Sequence, residues 1–119
     1  MKVGVPSEIK AQESRVGLTP LSVQELINHG HDVLIENNAG FGAGFENADY
    51  EKAGAKIALT AVDVFNDSDM IVKVKEPQSE EVSMLRKNQI LFTYLHLSAA
   101  PELTKGLIDS QSICIAYET

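Results

Sequence analysis

At 119 residues and 44% hydrophobic content, the chain is long enough for one globular core and too short to promise two, so residues 1–119 are expected to form a single domain. The 10 Lys and Arg against 17 Asp and Glu leave a formal charge of −7, which repels phosphate backbones and anionic headgroups and argues against nucleic acid or a membrane surface as a direct partner. Cys114 is the only cysteine, so neither a disulfide nor a Cys-based metal site is available within the chain, and no apolar run approaches the ~20 residues that span a bilayer; a reducing, cytoplasmic setting is expected.

In chain order, Lys2 to Val5 is a short apolar run stopped by Pro6, the first expected strand. A charged loop from Ser7 to Arg15 follows. Thr19-Pro20 then supplies an N-cap with proline at the first helical position, Val23, Leu26 and Ile27 make an apolar stripe, and Gly30 is placed to end the helix. Asp32 to Glu36 reads as the second strand. The segment Gly40-Phe41-Gly42-Ala43-Gly44-Phe45 starts like a dinucleotide fingerprint, but the position that needs a third glycine for close helix packing holds Phe45. A flexible surface loop is the expectation there, and no cofactor-binding residue is assigned.

Asn47 to Ala53 suits a short helix and Lys56 to Leu59 a third strand, with Ala61, Val64 and Phe65 at helical spacing after it. The run Asp69-Met70-Ile71-Val72-Lys73-Val74-Lys75-Glu76-Pro77 reads as a central strand whose pairing stops near Lys75, because Pro77 cannot donate to a ladder and biases Glu76 toward an extended conformation. Ser79 is the expected cap of a helix with Glu80 and Glu81 in its first turn and Arg86 and Lys87 near its end, as the helix dipole favours. Ile90 to Tyr94 is the next strand, Pro101 opens a helix carrying Leu103 and Leu107, and Ile113 to Tyr117 is the last strand, with Cys114 expected to be buried in it. Strands alternating with helices at this spacing predict a doubly wound α/β fold, a mainly parallel sheet with helices on both faces. No helix follows the last strand before Thr119, which suggests a fragment of a longer fold.

In such a sheet ligands bind beyond the carboxyl ends of the strands. Lys75 ends one strand and His96 shares the phase of Ile90, Phe92 and Tyr94 on the next, 21 residues on, while Arg15 lies in the loop leaving the carboxyl end of the first strand. Arg15 can hold a carboxylate through two parallel hydrogen bonds, Lys75 can direct an ammonium proton at a carbonyl or developing alkoxide oxygen, and His96, with a pKa of about 6.5, can exchange a proton near neutral pH. Together they describe a site for a small 2-oxo acid. Each has a plainer reading: Arg15 as a surface ion pair with Glu13, Lys75 and Lys73 as solvated charges, and His96 as a hydrogen-bonded structural residue, as His29 and His31 near a helix end are expected to be.

Four blocks carry a family likeness: Gly4-Val5-Pro6-Ser7-Glu8, Glu13-Ser14-Arg15-Val16-Gly17-Leu18-Thr19-Pro20, Val72-Lys73-Val74-Lys75-Glu76-Pro77 and Tyr94-Leu95-His96-Leu97. In this order they resemble the N-terminal segment of the alanine dehydrogenase family, along the whole chain from Met1. The resemblance implies NAD-dependent interconversion of L-alanine with pyruvate and ammonia, in a homo-oligomer, with Arg15 binding the substrate carboxylate, Lys75 the keto oxygen and His96 acting as catalytic acid/base. It also implies a Rossmann-like substrate domain that is incomplete here, with NAD held mainly by a second domain absent from this chain, no metal, and no turnover by these residues alone. One departure is Gln12, where the family often carries asparagine. The N-terminal segment of the transhydrogenase alpha subunit resembles the same blocks and shares Arg15 and Lys75; the Tyr94-Leu95-His96 block favours the dehydrogenase. Saccharopine-forming dehydrogenases, with a larger amino-acid substrate, and a binding domain without chemistry are more distant alternatives.

Overall fold

Each run that reads as a strand finds a parallel neighbour in the computed structural model, which describes residues 1–95 and 101–117. The strands β1 (Lys2–Val5), β2 (Asp32–Glu36), β3 (Lys56–Ala58), β4 (Met70–Val72), β5 (Ile90–Thr93) and β6 (Ile113–Ala116) form one sheet in the order β3-β2-β1-β4-β5-β6. All five pairings are parallel. The connections carry helices α1 (Pro20–Asn28), α2 (Asn47–Lys52), α3 (Ala61–Asp67), α4 (Ser79–Val82) and α5 (Pro101–Ser110). This is the expected Rossmann-like α/β fold.

Side-chain alternation splits the core into two layers. Val3, Val5, Val33, Ile35 and Val72 pack on one face against Val23, Leu26 and Ile27 of α1 and Tyr50 of α2. Ile71 and Leu91 pack on the other face with Val64 and Phe65 of α3, Val82 of α4 and Leu107 of α5. Fully buried aliphatic side chains such as Ile71 and Leu91 each stabilise the fold by ~1.5–3 kcal/mol. Chain order reverses between β1 and β4, so the crevice beyond their carboxyl ends is the ligand position that this topology favours.

The caps follow the sequence at α1, where Thr19 Oγ1 accepts the Ser22 N–H and Gly30 takes φ +88° just past the helix. At α4 the cap is Gln78 rather than Ser79, because Glu81 reaches back to accept the Gln78 N–H at 2.9 Å and starts the helix one residue earlier. Strand β4 stops at Val72, three residues before Lys75. Lys73 N–H still donates to Phe92 O at 3.0 Å, but the next two N–H groups turn to the Glu8 carboxylate. Tyr94 N–H donates to Val74 O at 3.2 Å, so backbone pairing trails off at Val74, next to Lys75, where the Glu8 carboxylate as well as Pro77 takes over from the ladder. Cys114 is only half-buried, and its neighbours Ile113 and Ile115 are 49% and 44% exposed, because β6 is an edge strand. No described helix is long and apolar enough to cross a membrane.

Candidate functional site

Two loops build the rim at the switch point, one leaving β1 and one leaving β4. Gly17 lets the first run against the second, since a Cβ there would lie 2.5 Å from the Val72 carbonyl oxygen. The loops are tied by an ion pair between Lys10 and Glu76. A second tie is buried: Lys73 Nζ lies 3.1 Å from Glu8 Oε1 and 3.0 Å from Glu81 Oε2, with all three side chains at most 2% exposed. Lys73 is therefore no solvated charge. It sits between two carboxylates whose burial demands a counter-charge. Burial pushes the Glu81 carboxyl above its ordinary value while the Lys73 charge pulls it back.

Arg15 stands on this rim with an exposed side chain held by Glu13. Its Nε and Nη2 donate to the two Glu13 oxygens, each at 2.9 Å, and its backbone N–H donates to Oε2 at 2.8 Å. This is the ion pair with Glu13 that the plainer reading expects. It is also a placement. A guanidinium carries five N–H donors, and Glu13 takes the Nε edge, which leaves the two terminal nitrogens as a second fork. The Arg15 hydrogen bond holds the Glu13 carboxyl at about 2, and the field of Lys75 adds to that lowering. The second fork of Arg15 has the geometry that a carboxylate takes through two parallel hydrogen bonds.

Lys75 is half-buried at the end of the second loop. Its neighbour strands are as the 21-residue spacing predicts, with Met70 of β4 opposite Ile90 of β5. The structure thus brings Arg15 and Lys75 to one rim; His96 falls on residue 96, outside the described residues. Two clefts flank Arg15. One of about 430 Å³ is lined by Glu8, Glu13, Ser14, Asn38 and Gly42, and one of about 330 Å³ by Val16, Phe45, Val74, Tyr94 and Tyr117. A further hollow, of about 560 Å³, lies at the opposite, amino ends of the strands among the exposed Lys2, Asp32, Lys56 and Asp67. Parallel sheets do not bind ligands at that end, and those charges sit in solvent, so the carboxyl rim is the better candidate.

The glycine-rich segment is not a free loop. Phe41–Ala43 forms a 3-10 turn, a Cβ on Gly40 would lie 2.6 Å from the Tyr50 ring, and one on Gly42 would lie 3.0 Å from the Ser14 carbonyl oxygen. These glycines are spent on packing against Tyr50 and against the loop that carries Arg15. With Gly40 and Gly42 taken up by these contacts and Phe45 where the third glycine would stand, this segment does not have the dinucleotide fingerprint's geometry. Among the described residues, no group of three or more His, Cys, Asp or Glu can hold a metal ion. The histidines near α1 have structural partners: His29 Nδ1 lies 2.8 Å from Glu25 O, and His31 Nδ1 lies 3.4 Å from the N-terminal amine. Sequence reasoning missed Glu8 and Glu81 as buried groups. Glu81 carried a signal in the Gln78-x-x-Glu81 capping spacing, and Glu8 carried none.

Residues 4–119 match the family described as alanine dehydrogenase/PNT, N-terminal domain. An alanine dehydrogenase of Halomonas elongata is 55% identical over 119 residues, which is 100% of this chain and 32% of that protein. A solved L-alanine dehydrogenase superposes with a TM-score of 0.97 at 53% identity, covering 100% of this chain and 33% of that one. A transhydrogenase from Sinorhizobium meliloti superposes with a TM-score of 0.91 at 29% identity, covering 98% of this chain and 34% of that one. The chain spans about a third of the length of these relatives.

Proposed function

The chain belongs to the alanine dehydrogenase/PNT N-terminal domain family, and from that premise we propose that it is the substrate segment of an NAD-dependent L-alanine dehydrogenase. The reaction is the reversible oxidative deamination of L-alanine to pyruvate and ammonia, in a cytoplasmic homo-oligomer. The observation that supports it most is the Arg15 fork, held by Glu13 on one edge, beside Lys75 on the switch-point rim.

In this reading the substrate carboxylate takes the two terminal nitrogens of Arg15, and the Lys75 ammonium donates to the keto or carbinolamine oxygen. Holding both ends of a small 2-oxo acid fixes the face of its carbonyl toward the attacking amine. Lys75 stabilises the negative charge that grows on oxygen as ammonia adds. His96 then serves as acid/base, giving and taking the protons that carbinolamine formation and dehydration require. The glycine-rich segment does not have the geometry to hold NAD, so in this reading the nicotinamide is supplied from outside these residues, and these 119 residues alone do not turn over. Pyruvate-dependent NADH oxidation by the isolated chain would contradict that claim.

The test uses the polypeptide of the complete gene. NADH oxidation is followed with pyruvate plus ammonium, with each omitted, and in His96→Ala. The expected result needs both substrates and falls by about 10²–10⁴-fold in the variant. No activity with both, but hydride exchange between nicotinamides once a partner subunit is added, would establish the transhydrogenase reading instead, which the 29% identical structure keeps in view.

A further inference from the structure

We propose that Glu8 is a positioning residue for Lys75, with Thr93 as the second anchor of the same peptide. The proposal rests on the reading that Lys75 meets the substrate oxygen. Glu8 is buried between the two rim loops and accepts from three consecutive residues. Its Oε1 takes Lys73 Nζ at 3.1 Å and the Lys75 N–H at 3.0 Å, and its Oε2 takes the Val74 N–H at 3.0 Å. On the other side of Lys75, its carbonyl oxygen accepts from Thr93 Oγ1 at 2.8 Å, and Thr93 is fully buried.

The N–H and the carbonyl of Lys75 itself are thus both held by side chains, while the neighbouring strand reaches this segment only as far as Val74, whose carbonyl oxygen accepts the Tyr94 N–H at 3.2 Å. Regular pairing of β4 ends at Val72 and its last two bonds to the β5 side are made by Lys73 N–H and Val74 O, so the backbone groups of Lys75 depend on Glu8 and Thr93 for their direction. With them, the Lys75 Cα is set from both sides, and the ammonium keeps only its own side-chain torsions. A displacement of about 1 Å at such a group costs a large part of its effect on the reacting oxygen. The division of labour in the buried cluster follows. Lys73 supplies the charge that lets Glu8 stay buried, and Glu81 balances Lys73 while capping α4. Glu8 alone of the three touches the Lys75 peptide.

The experiment compares Glu8→Gln, Thr93→Val, Glu81→Gln and Lys75→Ala in the polypeptide of the complete gene, reading KM and kcat for pyruvate and KM for NADH. Glutamine has one acceptor oxygen, so Glu8→Gln loses one of its two backbone bonds; Thr93→Val loses its bond without changing shape. Both are expected to raise the pyruvate KM by about tenfold, with kcat falling less and the NADH KM within about twofold. Glu81→Gln removes a partner of Lys73 but keeps the Gln78 cap, and the pyruvate KM is expected to stay within about twofold. An equal rise in Glu81→Gln would make the cluster merely structural and overturn the proposal. So would an unchanged KM in Thr93→Val, which carries the test if Glu8→Gln fails to fold. A loss in Lys75→Ala with no change in the other variants removes the positioning role and leaves Lys75 as the substrate group. No change in Lys75→Ala overturns that reading and this proposal together.

Discussion

The carboxyl of Glu13 titrates at about 2 instead of 4.5 because Arg15 binds it with two side-chain hydrogen bonds and lies against its charge. A carboxylate whose folded pKa is depressed adds stability above its unfolded value, and that stability is lost as pH falls from about 4.5 toward 2. The urea midpoint of Glu13→Gln is therefore expected to lie below that of the native chain at pH 6 and to converge on it toward pH 3; a gap that widens on acidification would contradict the pairing. An NMR titration of Glu13 in Arg15→Ala should return the midpoint toward 4.5. Two residues before Arg15's neighbour Ser14, Gln12 has φ +67°, in the left-handed region that favours glycine and asparagine. Asn38 and Asn88 fill two similar positions. Gln12→Asn is expected to stabilise the loop by about 0.5 kcal/mol in chemical unfolding, and a loss of that size would contradict the strain.

At the scale of elements, α4 has only four residues, too few to hold as a helix on its own. Its Glu81 joins it to β4 through Lys73, and Glu8 joins β4 to the loop after β1. Lys73→Met would leave both carboxylates buried without a counter-charge, and is expected to cost about 3–5 kcal/mol in urea unfolding; a cost under about 1 kcal/mol would contradict the account. The strands were legible because each is a run of alternating or continuous apolar residues bounded by Pro, Gly or a charge, as Lys2 to Val5 and Asp32 to Glu36 show. Helix α1 was legible from Thr19-Pro20. The end of β4 was not, since Glu8, which takes over from its ladder, is more than 60 residues away in sequence, as the 65-residue separation from Lys73 shows. Alternation marked Lys73 as a strand-end lysine, and such lysines usually reach water. Nothing local to Lys73 announces two carboxylates arriving from other elements. The glycine segment was misjudged for the same reason: its glycines answer to Tyr50 and Ser14, which only the fold brings near.

At the scale of the whole molecule, the parallel sheet turns a set of scattered residues into one rim. Lys75 was recognisable as a charged group just past an apolar run and Arg15 as one of two arginines, in the loop leaving the first strand, and the switch between β1 and β4 makes their loops adjacent. The layer of α1 and α2 covers β1 to β3, while Tyr117 near the β6 edge meets Phe92 edge-on with ring centroids 4.3 Å apart and Tyr94 at a tilt with centroids 4.8 Å apart. Tyr94 and Tyr117 border the apolar cleft beside Arg15. The proposed recognition of a 2-oxo acid at this rim rests on the Arg15 fork. The most direct measurement is kcat/KM for pyruvate in Arg15→Lys, in the polypeptide of the complete gene. Lysine keeps the charge and loses the two-pronged geometry, so kcat/KM is predicted to fall about 10–100-fold, chiefly through KM. A value within about twofold of the native enzyme would mean that the carboxylate is held elsewhere.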